Sequence, residues 1–143
     1  MKKIRVAAIL PMVNGYAFMH RKDVIKNKDF QDYYTFPGGM LEEGETPEEG
    51  VIREIEEEFG IKVEVEKKLY EIQSEEFNQT EMFFLCKYVS GEFGTGTGPE
   101  FSNDPKYFEY GKYIPEIIEK DKIKDILLVP KEAKEMFLKD FKI

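Results

Sequence analysis

Glu54, Glu57 and Glu58 are the residues whose type and spacing point most directly to chemistry. They fall in the stretch GETPEEGVIREIEEEFG, Gly44 to Gly60. Residues 42–58 hold nine Glu and one Arg, a net charge of −8, which equals the charge of the whole 143-residue chain. The remainder is neutral, so the acidity is confined to one place. Like charges one turn apart destabilise a free helix by a few tenths of a kcal/mol each. Such an arrangement calls for a counter-charge.

At about 100° per residue, Ile52, Ile55 and Phe59 form one apolar stripe that should pack on a sheet. Glu54, Glu57 and Glu58 fall within about 100° of one another on the opposite side. Gly50, one turn earlier, is expected to leave that face open. Glu49 and Glu56 lie elsewhere, and Arg53 is placed to pair with Glu49 or Glu57. Converging carboxylates beside open space suit a hard divalent cation. Mg²⁺ in particular takes one or two carboxylates and shares its other positions between water and substrate phosphates. A simple solvated face is the alternative reading of the helix taken alone.

The elements that must position these residues are legible in outline. Thr46 and Glu49 have capping-box spacing around Pro47, and Gly60 sits where a helix favours a left-handed residue, which predicts a helix over about 47–59. RVAAIL (5–10) and YAFMH (16–20) read as strands joined through an Asn14-Gly15 turn. Residues 21–33 read as a loop, TFPGG (35–39) as the end of a short strand, and 63–72 and 81–90 as long strands. The glycine-rich stretch 91–105 reads as a loop, 112–114 as a short strand, 115–120 as a helical turn and 125–129 as a strand. Pro130 opens a final amphipathic helix. This order predicts an α/β sandwich with a mixed sheet, as one domain over 1–143.

Composition narrows the partners. An apolar fraction of 41% supports a real core. Cys86, the only cysteine, lies in MFFLCKY and reads as a buried thiol, so no internal disulfide forms and a cytoplasmic, reducing location is expected. No stretch reaches the ~18 apolar residues of a membrane span, and MKKIRVAAILP reads as a first strand and not a leader. Neutrality outside the acidic stretch argues against a nucleic-acid polymer as partner. A small molecule is expected as ligand, and a monomer or homodimer as the assembly.

Gly39 to Ile61, GMLEEGETPEEGVIREIEEEFGI, resembles the Nudix box at every defined position: Gly39, Glu45, Arg53, Glu54, Ile55, Glu57, Glu58, Gly60 and Ile61. The aromatic-Pro-Gly-Gly lead-in, Phe36 to Gly39, and a basic residue after the second strand, Arg21, are also similar to this family and its MutT-like members. Gly50 departs from the Ala common in relatives, and both are small. The resemblance implies a Nudix-type α/β/α sandwich with a mixed central sheet. It implies hydrolysis of a nucleoside diphosphate linked to another group, dependent on Mg²⁺ or Mn²⁺. Glu54, Glu57, Glu58 and the carbonyl of Gly39 would hold metal, while Glu45 and Arg53 would tie the loop to the helix, closed by Gly60. Catalytic carboxylates would be Glu54, Glu57 and a residue beyond the box. Glu100 and Glu109 are the candidates there, with Glu100 preferred because its glycine-rich loop could swing over a substrate. Arg21 and Tyr34 are candidate contacts to phosphate and base. Tyr33 and Phe36 could also stack on a base, with Phe36 favoured as core, and His20 reads as a hairpin-end residue.

The family's ADP-ribose class has a Pro about fifteen residues beyond the box. Here Phe77 stands there, and no Pro occurs between 61 and 98. The expected Tyr of the dinucleoside-polyphosphate class is also missing, since the nearest are Tyr70 and Tyr88. That leaves a (d)NTP or oxidised nucleotide, cleaved to monophosphate and pyrophosphate. A Nudix-like sensor that binds a nucleotide without cleaving it is the alternative, but such domains usually carry a degraded box or an added DNA-binding segment. An acidic metal-buffer helix is a third, and the alternating Asp/Asn of a calcium loop is absent.

Overall fold

The structure is a computed structural model that describes residues 3–25, 32–75, 78–98 and 111–143. Strand β1 (Lys3–Ile9) shows why its apolar run is unbroken. Val6 and Ala8 join one core cluster, and Ala7 and Ile9 join another. Successive side chains point to opposite faces of a sheet, so a continuous apolar run marks a strand covered on both sides. The same holds for β7 (Gln79–Gly91), where Phe84 and Cys86 enter the first cluster and Phe83 the second.

β1 pairs in parallel with β7, and β5 (Gly38–Met40) and β6 (Ile61–Ser74) complete a mixed sheet in the order β5-β1-β7-β6. Helix α1 (Pro47–Phe59) packs on one face through Val51, Ile55 and Phe59. The other face meets helix α2 (Lys131–Asp140) through Ala133 and Phe137. A second sheet runs β2 (Pro11–Met12), β3 (Gly15–Lys22), β4 (Asp32–Thr35) and β9 (Leu128–Val129), with β8 (Lys112–Ile118) on the opposite side of β3. This is the expected α/β/α layering around a mixed sheet. Cys86 is 1% exposed, as the apolar run implied, and burial with the nearby charge of Glu66 pushes its thiol up to about 12. No helix among the described residues is long and apolar enough to cross a membrane.

The second sheet is where the elements differ from expectation. β3 extends to Lys22 and β4 starts at Asp32, both inside the stretch read as a loop. Residues 115–118, read as part of a helical turn, form the second half of β8. Pro115 suggested a helix start, but β8 pairs with β3 alone among the described residues. An edge strand tolerates a residue without an N–H. The helical turn lies further on, as a 3-10 segment over Lys120–Asp125, and the strand read over 125–129 shortens to β9.

Helix α1 is closed at both ends. Thr46 Oγ1 accepts from the Glu49 N–H at 3.2 Å, and the Glu49 carboxylate accepts from the Thr46 N–H at 2.9 Å. At the other end, Gly60 has φ 74° and donates to the Glu56 carbonyl at 2.9 Å. The start of the glycine-rich loop satisfies the next carbonyls. Gly94 and Thr95 donate to Phe59 at 2.9 and 3.2 Å, and Gly98 donates to Glu57 at 2.9 Å. Orphan carbonyls at a helix end need such partners. A Cβ on Gly60 would stand 2.0 Å from Thr95 Oγ1, in a backbone conformation that L-residues avoid. Gly60→Ala should therefore lower unfolding free energy by about 2–4 kcal/mol in urea titration. Gly94→Ala, also at positive φ but with open space around it, should cost only about 1 kcal/mol.

Candidate active site

Arg53 is the centre of the acidic stretch. Its Nε donates to Glu45 Oε2 at 2.7 Å and its Nη2 to Glu45 Oε1 at 3.1 Å. Such a two-point grip is the strong geometry for a guanidinium on a carboxylate. Nη2 also reaches the Met40 carbonyl at 3.1 Å. Nη1 donates to Glu54 Oε1 at 2.9 Å and to Glu57 Oε2 at 3.2 Å. The hydrogen bond to Glu45 raises the proton affinity of Arg53 against the cost of burial. The same bond holds the Glu45 carboxyl below its usual range. Glu49, the other sequence candidate for pairing, is instead committed to the helix cap.

Two carboxylates of the predicted cluster thus converge on one positive charge. The third is anchored separately: Glu58 is 6% exposed and accepts from the Gly38 N–H at 2.7 Å. Gly39 lies against Glu54. A Cβ there would stand 2.5 Å from the Glu54 carboxyl carbon, so only glycine lets the strand and the carboxylate approach this closely. Gly50 does not open the face as expected. It is buried, and a Cβ on it would meet Leu41 at 2.6 Å and Glu45 at 3.1 Å. Among the described residues no three Asp, Glu, His or Cys side chains converge as a ready cation cage. Arg53 holds Glu54 and Glu57, and Gly38 holds Glu58. Glu100 and Glu109 lie outside the described residues.

Gly38 and Glu58 also line a cleft of about 1040 Å³, so the acidic helix opens directly onto it. One wall is apolar, with Ile72, Leu127, Val129 and Leu138. At the floor Arg5 pairs with Glu81, and Arg5 also donates to the Phe36 carbonyl at 3.2 Å. Arg21 also lines the cleft, with its guanidinium 3.7 Å from the ring centre of Tyr113 and 5.7 Å from that of Tyr33. Tyr34 sits elsewhere. Its ring stacks on His20 at 4.2 Å, and its hydroxyl donates to Glu116 at 3.1 Å. Burial, then the charge of Glu116, pushes that hydroxyl up to about 12. Phe36 is core, at 1% exposure. Tyr113 and the Arg5–Glu81 pair are the cleft residues that the sequence did not single out. Tyr113 falls in the strand read over 112–114, but its place beside Arg21 depends on the pairing of β8 with β3, which no local pattern announces. Arg5 and Glu81 interrupt otherwise apolar strands, which is the signal that marks them.

The sequence description of the NUDIX domain matches residues 1–125. The chain belongs to the Nudix family. An 8-oxo-dGTP diphosphatase from Haemophilus influenzae is 34% identical over 99 residues, covering 69% of this chain and 71% of that protein. An 8-oxo-dGTP diphosphatase from Escherichia coli is 40% identical over 62 residues, covering 43% of this chain and 46% of that protein. An ADP-ribose pyrophosphatase from Methanocaldococcus jannaschii is 32% identical over 100 residues, covering 62% and 59%. Among solved structures, a NUDIX hydrolase from Nitrosomonas europaea aligns with TM-score 0.69 at 19% identity, covering 96% of this chain and 69% of that one. At that identity the likeness shows the fold. The chain is thus a Nudix hydrolase, of a family that acts on small nucleotide molecules and generally needs a divalent metal.

Arg53→Lys keeps the charge of the Nudix box but cannot make the fork to Glu45 together with the Met40 contact. We expect it to lower stability by about 1–2 kcal/mol in thermal unfolding, and turnover by more than about tenfold.

Proposed function

We propose that this Nudix hydrolase cleaves the phosphoanhydride of a (d)NTP or an oxidised nucleotide, releasing monophosphate and pyrophosphate. The observation that carries this reading is the convergence of Glu54 and Glu57 on a single positive charge, on the same helix whose Glu58 lines the 1040 Å³ cleft. The names of two relatives, both 8-oxo-dGTP diphosphatases, support the substrate class.

The donor set fits Mg²⁺, with Mn²⁺ as the other candidate. It offers only hard oxygen atoms, from α1 and from Gly39 of the adjoining β5, and Gly39 leaves space against Glu54 where any side chain would intrude. Glu54, Glu57, Glu58 and the Gly39 carbonyl are the proposed ligands. When bound, the metal neutralises the diphosphate and lowers the pKa of a coordinated water. The protein's own residues do the rest. Arg53 aligns Glu54 and Glu57, and Gly38 fixes Glu58. Arg21 contacts substrate from the cleft wall. A carboxylate accepts the proton of the attacking water as the P–O–P bridge breaks, and the departing pyrophosphate or nucleoside monophosphate takes the electron pair of the broken P–O bond. Glu54 fills this role within the described residues, with Glu100 as the candidate from beyond the box. Tyr34 enters this reading indirectly, through its stack on His20.

Glu57→Gln decides the reading, assayed on 8-oxo-dGTP, dGTP and ADP-ribose with Mg²⁺ or Mn²⁺. The Glu57 side chain is 38% exposed, so the fold and thermal midpoint should persist. Turnover should fall by at least about a hundredfold, and EDTA should abolish it in the parent enzyme. Full activity in Glu57→Gln would remove the metal assignment. Absence of turnover on every diphosphate would favour the nucleotide sensor, and a preference for ADP-ribose would overturn the substrate class.

A further inference from the structure

His20, the only histidine in the chain, is 8% exposed and both its ring nitrogens are engaged. Nδ1 lies 2.7 Å from Glu116 Oε1, and Nε2 lies 2.6 Å from Asp32 Oδ1. The three residues come from three neighbouring strands, with β3 in the middle, β4 on one side and β8 on the other. Tyr34 of β4 stacks on the ring and also donates to Glu116. Lys22, two residues along β3, stands opposite Asp32 on β4 and Lys112 on β8.

The next residue of β3 is Arg21. Successive side chains of a strand point to opposite faces, and the register sets Arg21 opposite Tyr33 on β4 and Tyr113 on β8. These are the two rings that hold its guanidinium in the cleft. The three strands therefore carry two bridges back to back. One face has Asp32–His20–Glu116. The other has Tyr33–Arg21–Tyr113.

We propose that the Asp32–His20–Glu116 bridge is a positioning device for the cleft, drawing β4 and β8 onto β3 and so setting how closely Tyr33 and Tyr113 hold Arg21 against a bound nucleotide. His20 touches no substrate in this arrangement. It acts through the strands, and the proposal rests on the reading that the cleft takes a nucleotide. Two carboxylates can each accept a hydrogen from the ring only when both nitrogens carry protons, so the bridge is complete only around an imidazolium. Burial works against that charge, but the hydrogen bonds to Asp32 and Glu116 and their negative charges outweigh it and raise the pKa of His20 above the usual 6.5. The bridge is thus complete below about 6.5 and lost as pH rises through the raised value.

A single histidine makes the test direct, because its ring resonances need no assignment. The Tyr33 and Tyr113 rings, identified from Tyr33→Phe and Tyr113→Phe spectra, should shift with the same midpoint as His20 in an NMR pH titration of the wild-type chain. In parallel, His20→Phe preserves an aromatic stack on Tyr34 but makes neither hydrogen bond. Its KM for the best nucleotide of the substrate screen should exceed the wild-type value by about tenfold at pH 6 and match it at pH 9, with kcat little changed. Taking the ratio at each pH cancels the ionisation of the nucleotide itself. Tyr resonances that ignore the His20 titration, or a KM ratio that is the same at every pH, would overturn the proposal. If no nucleotide is hydrolysed but the rings follow His20, the bridge stands and the reading of the cleft as a hydrolase site fails.

Discussion

The guanidinium of Arg53 is the interaction on which the site depends. Carboxylates gathered on one helix repel one another, and a fixed positive charge offsets the repulsion. Arg53 supplies it in a form that lysine cannot match. Its planar fork grips Glu45 at two points, reaches the Met40 carbonyl, and still has Nη1 left for Glu54 and Glu57. One side chain thereby ties three separate pieces of chain together: the end of β5, the loop before α1, and the helix itself. The acidic cluster holds together because its counter-charge is built into the scaffold.

That scaffold is made rigid by backbone contacts more than by side chains. α1 is capped at its start by Thr46 and Glu49 and at its end by the N–H groups of residues 60, 94, 95 and 98. Its buried side packs Val51, Ile55 and Phe59 on the mixed sheet. Glu58 is held at the edge of that core by the Gly38 N–H, which belongs to the strand paired with β1. The carboxylates are therefore placed with respect to the sheet floor, where Arg5 and Glu81 lie. A buried ion pair contributes little net stability, so its placement in the cleft lining is more informative than its strength.

The sequence was most legible where local rules and packing agree. The spacing Thr46-Pro47-Glu49 and the glycine at 60 marked both ends of α1, and the apolar runs of β1 and β7 marked both as strands. It was least legible where tertiary pairing overrode local signals. Pro115 suggested a helix start, yet the edge of the second sheet accepts it. Gly50 suggested open space beside the carboxylates, yet Leu41 and Glu45 fill it. His20 suggested a hairpin end, because nothing local announces that carboxylates 12 and 96 residues away will meet its two nitrogens. Long-range partners of this kind have no spacing to read.

The two sheets divide the work of the molecule unequally. The mixed sheet and α1 form the charged end, where geometry is fixed by close backbone approach: Gly38 against β1, Gly39 against Glu54, Gly60 against Thr95. Such contacts leave little freedom, which fixes where the carboxylates of α1 stand. The second sheet lines the cleft through Met19, Arg21, Tyr33 and Tyr113, and its strands are held across β3 by side-chain bridges. Hydrogen bonds between charged side chains depend on protonation in a way that backbone packing does not. The acidic helix and the second sheet therefore rest on different kinds of interaction, and a change of pH that leaves the one intact can still alter the other.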